Sequence, residues 1–218
     1  MGGDLARIGT YAVASWASHD VATENRLDQT AHIMSRAVAA LDASGKFPRL
    51  TDALDEAVRQ FEHGSIALLM NLTPLVADAA RRVLEVVFFT TFMRHDPARL
   101  AAWHAGGEEF RFTAPLKQYF TAAGPAVANG PYGYTATLDL YKRLSASVHA
   151  NPIIWNESRD GLKIEAAPAT TADRETMLHD AARCVIYVIL HQLPDLEIDG
   201  IEELFPASWA SIRSALGL

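Results

Sequence analysis

Apolar residues recur at three- and four-residue spacing along most of the chain, and this periodicity predicts a succession of amphipathic helices. Residues 4–44 carry Ile8, Tyr11, Ala12 and Ser15 on one face, then Ile33, Ala37, Val38 and Leu41, with a break expected at His19-Asp20 and a stop at Gly45. Thr51 or Asp52 is placed to cap a helix bearing Leu54, Val58, Phe61, Ile66, Leu68 and Leu69. Thr73-Pro74 begins the next, because threonine caps well and proline fits a first helical position that needs no amide donor. That helix, about residues 74–94, turns almost wholly apolar in its second half and is expected to be the central, most buried element.

Asp96-Pro97 is expected to open a short helix containing Trp103, ended by Gly106-Gly107. Residues 108–123 read as a helix kinked at Pro115, and Gly124 to Gly133 as a loop. A helix through Tyr141 must stop near Ala150, since Pro152 disfavours helical geometry at Asn151. Ile153 to Trp155 and Leu162 to Glu165, joined through Asp160-Gly161, predict a small β-hairpin over 153–165. Thr171, Asp173 and Glu175 start a long helix to about His191, and Ser208 to Leu216 forms a short last one. With no repeat, low-complexity tract or linker, the expected architecture is all-α: a single-domain helical bundle over 1–218, with about six to eight helices and a small β-hairpin insert. Its core is expected over about 60–192.

Composition narrows the functional classes. Half of the 218 residues are hydrophobic and 21% are charged, so the chain can bury a core and is not a disordered one. A net charge of −7 argues against an extended DNA-binding face, because phosphate affinity needs clustered Lys and Arg. A local RNA site remains open. Cys184, the single cysteine, sits in an apolar run and reads as a buried small hydrophobe in a reducing, cytoplasmic setting. Asp4 and the interrupted apolar run after it do not suit a signal peptide. The most apolar windows, 83–93 and 184–190, fall short of the roughly 20 residues that cross a bilayer, so no membrane partner is expected. Only four of nineteen basic residues are Lys and Ala is abundant, an association with GC-rich bacterial coding sequence.

Chemistry concentrates on the 141–149 stretch, where Tyr141, Ser145 and His149 fall within about 80° of one another on a helix. His149 in a last helical turn is either held there by the helix dipole or a general acid or base near neutrality. Arg143 is close in sequence but projects about 120° away from it on an ideal helix. Asp78, Arg81, Arg82 and Glu85 stand at i, i+3, i+4 and i+7, the spacing of a surface ion-pair ladder. Yet apolar neighbours surround Glu85, so its carboxylate needs a partner, for which Tyr141 and His149 are the candidates. No metal or other cofactor is expected. Glu-x-x-His pairs on facing helices are missing, and Glu175 with His179, one turn apart, make two ligands at most. Ser145 lacks a nucleophile elbow, and the glycine-rich stretches lack a phosphate-loop Lys-Ser/Thr. A third location for a ligand is a pocket lined by Trp103, Phe110 and Tyr119.

Two resemblances follow from these residues. Arg82-x-x-Glu85, then Tyr141-x-x-Leu144-Ser145-x-x-x-His149, is similar to the pattern of an uncharacterised group of bacterial all-helical proteins, a domain of unknown function, over roughly residues 60–192. That likeness implies a helical fold and a site but no substrate. More distantly, Arg143 and His149 resemble the Arg-x4–6-His motif of HEPN ribonucleases, although Leu144 stands where those motifs carry a polar residue. This likeness implies a metal-independent RNase or defence toxin acting as a homodimer on RNA. His149 would move the proton of the ribose 2′-hydroxyl and Arg143 would neutralise the phosphate. The competing expectation is a noncatalytic interaction or sensor module in which Arg82, Glu85, Tyr141, Ser145 and His149 form a buried network that meets a protein partner elsewhere.

Overall fold

The computed structural model describes residues 12–45, 51–95, 113–148 and 171–218, together with Thr10 and Ala98. After helical residues 12–17 the described elements are α1 (Val21–Ala43), α2 (Thr51–Leu69), α3 (Thr73–His95), α4 (Thr113–Ala123), α5 (Pro125–Ala128), α6 (Tyr134–Val148), α7 (Thr171–Gln192), α8 (Ile201–Leu204) and α9 (Trp209–Leu216). The fold is all-α, and no strand occurs among the described residues. The expected hairpin over 153–165 lies outside them, as does most of the expected Trp103 helix.

The break at His19-Asp20 has a local cause. The Asp20 carboxylate accepts from the amides of Ala22 (3.1 Å) and Thr23 (3.2 Å), two of the donors that a helix start leaves unbonded, and so starts α1 afresh. Helix α3 is the hub, packed against α2, α4, α6 and α7 through Val76, Ala80, Val83, Leu84, Val87 and Phe88. It shares the role of most buried element with α7, in which every residue from Ala181 to Leu190 except Arg183 is buried. Large side chains such as Phe61, Phe88, Phe120 and Tyr187 are almost fully enclosed, each contributing roughly 1.5–3 kcal/mol through burial.

Close approach of the helices depends on Gly64 in α2. A Cβ there would stand 3.1 Å from the Ala79 Cβ of α3 and 2.8 Å from Leu178 Cδ1 of α7, so three helices converge on a missing side chain. The α2–α3 turn is held from α7: Asn71 takes a left-handed conformation (φ 56°) and its Oδ1 accepts from Arg174 Nη1 at 2.6 Å. Two expectations change on inspection. Pro115 does not kink a helix but lies in the first turn of α4, where a missing amide hydrogen costs nothing. The expected 124–133 loop contains the one-turn helix α5 behind Gly124.

Candidate functional site

Two places in the fold gather chemistry-bearing side chains. The first joins α3 to α6. Glu85 Oε1 accepts from Arg81 Nε (2.9 Å), one turn earlier in α3, and from Tyr141 Oη (3.0 Å) across the helix interface. Both partners of the ion pair are about one-fifth exposed. Burial, and then the Glu85 carboxylate, pushes the Tyr141 hydroxyl above its ordinary pKa, so it stays a proton donor to Glu85 throughout the neutral range.

The remaining expected members are placed differently. Arg82 turns away to Asp78 (Nε to Oδ2, 2.9 Å) on the exposed side of α3, so the ladder resolves into two separate i,i+4 pairs. Ser145, one turn after Tyr141, has a buried hydroxyl oxygen with no hydrogen-bond partner among the described residues. Arg143 is exposed, flanking the buried Leu144. His149 lies outside the described residues. Of the aromatic pocket, Trp103 and Phe110 also lie outside them. Tyr119 is buried against Phe88 and Phe120 and donates to His191 Nδ1 at 2.8 Å. Because the Gln192 amide nitrogen can only donate, its 3.1 Å approach marks the same Nδ1 as an acceptor.

The second place is a cavity of about 340 Å³ between α1, α7 and the stretch just after Glu203. Thr30, Ile33, His179 and Leu204 form its buried floor, Glu175 and Arg183 its half-buried walls. Arg26, exposed at the rim, grips Glu175 with two donors, Nε to Oε1 at 2.7 Å and Nη2 to Oε2 at 3.2 Å. Arg183 donates to the Leu204 carbonyl (2.7 Å) and to Asp180 (2.8 Å), tying α7 to α8. His179 is 8% exposed; its Nδ1 is 3.0 Å from Thr30 Oγ1, while Nε2 makes no hydrogen bond and faces Glu175 Oε1 at 3.5 Å. Burial, reinforced by the nearby Arg183 charge, lowers the His179 pKa and keeps the ring neutral at pH 7.

Sequence reading passed over this cavity apart from the Glu175–His179 spacing. Its walls are assembled by contacts such as Thr30–His179, 149 residues apart, for which no local pattern exists. No group of three or more potential metal ligands occurs among the described residues, and none of their helices is long and apolar enough to cross a membrane. Comparison with protein-family models, curated proteins and solved structures gives no match to this chain.

Proposed function

We propose that the chain is a noncatalytic helical interaction or sensor module whose polar residues on α3 and α6 serve the fold. The observation that carries this reading is the Glu85 carboxylate, held at one oxygen by both Arg81 and Tyr141 at an interface between helices. A carboxylate so engaged is neither a free base nor an open ligand; its bonds fix how α6 seats on α3. The unbonded Ser145 hydroxyl beside it supports the same reading, since a nucleophile needs a base within reach. A cytoplasmic setting goes with this account on the strength of Cys184, a lone buried thiol that burial pushes up to about 12 and that acts as core packing.

The test is incubation of the purified protein with a mixed RNA pool in EDTA, beside Arg143→Ala and His149→Ala variants shown to be folded by circular dichroism. The parent is expected to leave the RNA intact. Cleavage by the parent that both variants lose would replace this proposal with the HEPN-like, metal-independent RNase, with Arg143 and His149 as its catalytic residues.

A further inference from the structure

The cavity between α1 and α7 takes no part in the Arg81–Glu85–Tyr141 tie, and its chemistry is unusually specific. Its four formal charges cancel: Arg26 and Arg183 against Glu175 and Glu203. They are also already engaged, Arg26 by Glu175, Arg183 by Asp180, and Glu203 by the Gln29 amide. A charged guest would therefore be desolvated without a free counter-charge, which disfavours anions and cations alike.

What the cavity lacks is a partner for His179 Nε2. The Thr30 hydroxyl has a single proton and two acceptors in range, the Arg26 carbonyl at 2.9 Å and His179 Nδ1 at 3.0 Å. Given to the carbonyl, that proton leaves Nδ1 as the donor and Nε2 as a bare lone pair opposite the Glu175 carboxylate. Given to Nδ1, it leaves an N–H on Nε2 that falls short of a hydrogen bond at 3.5 Å. The group that satisfies Nε2 in either tautomer both donates and accepts, and that group is a hydroxyl. Around it, the carboxylate, guanidinium and carboxamide groups of Glu175, Arg183 and Gln29 are planar and offer paired sites that suit neighbouring hydroxyls. The volume lies at the small end of ligand pockets.

We infer that this cavity binds a small uncharged polyhydroxylated molecule, a polyol or monosaccharide, with one hydroxyl seated between His179 Nε2 and Glu175. As the sensing site of the proposed module the inference rests on the noncatalytic reading, whereas the binding itself is independent of it. Side-chain mobility of Glu175 and Arg26 at the rim admits the hydroxyl to a nitrogen that is otherwise closed to solvent.

The experiment is a nitrogen-15 titration of the imidazole rings of the full chain with glycerol, ribitol and myo-inositol, and with inorganic phosphate and ethanolamine as charged probes. One ring, missing in His179→Gln, is expected to shift saturably with at least one polyol and with neither charged probe. In Thr176→Trp, which crowds the cavity from an exposed position on its rim, the ring signal should persist while the polyol affinity falls at least about tenfold. Absence of a saturable shift with every polyol, a shift indifferent to Thr176→Trp, or a response only to phosphate or ethanolamine would overturn the inference. A protein that binds polyols here yet cleaves RNA fails the functional proposal alone; one that does neither fails this inference alone.

Discussion

Tyr141 Oη lies 3.0 Å from Glu85 Oε1 across 56 residues of chain, the hydrogen bond that links α6 to a charged group of α3. Because the acceptor is ionised and part-buried, its loss is felt in stability. Tyr141→Phe, which keeps the ring and removes the donor, should cost about 0.5–1.5 kcal/mol in urea unfolding. Ser145→Ala should behave oppositely, being neutral or slightly stabilising, since it removes a buried hydroxyl that has no hydrogen-bond partner among the described residues. A loss of more than about 1 kcal/mol at Ser145 would show that its hydroxyl does bond in solution.

Helix convergence at Gly64 predicts intolerance of bulk. Gly64→Val places a branched side chain where Leu178 and Ala79 already stand within contact, so thermal unfolding should report a loss of roughly 1–3 kcal/mol despite the entropy that glycine otherwise loses on folding. An unchanged melting temperature would mean that α2, α3 and α7 are less closely packed than their backbones indicate.

Burial at His179 gives the fold a pH dependence with a definite sign. The folded-state pKa is depressed, so between that value and the ordinary histidine value near 6.5 the unfolded chain binds the extra proton and the folded chain does not. The stability tied to the neutral ring is complete above about pH 6.5 and is lost as pH falls through this window, at up to about 1.4 kcal/mol per unit. Burial depresses His191 in the same direction, so His179→Gln should flatten the dependence in part rather than abolish it. Unfolding curves from pH 7.5 to 5 measure it, and a parent slope unchanged in His179→Gln would refute the assignment.

Much of the helical plan was legible because it is written locally. Asp20 could be read as a cap, Thr73-Pro74 as a helix start, and the apolar run after Val83 as a buried face. Glu85 amid apolar neighbours signalled a carboxylate in need of a partner. Which arginine would serve it was not legible, since i+3 and i+4 spacing allows Arg81 or Arg82; packing against α6 turns Arg81 inward and leaves Arg82 to Asp78. The one-turn helices α5 and α8 are too short to show a period. The cavity was illegible for a different reason: Arg26, Thr30, His179 and Glu203 share no local spacing, and only tertiary folding brings them to one place. The sole trace was Glu175 and His179 one turn apart, a pattern that far more often marks an ordinary helix face.

The central claim, that Glu85 and Tyr141 act on one another to hold the fold, is tested most directly by a double-mutant cycle of Glu85→Met and Tyr141→Phe in urea unfolding. The account predicts a coupling energy of about 0.5–1.5 kcal/mol, the double variant losing less than the sum of the two single losses. Additivity within about 0.3 kcal/mol would contradict it, leaving the two side chains as neighbours without a shared role.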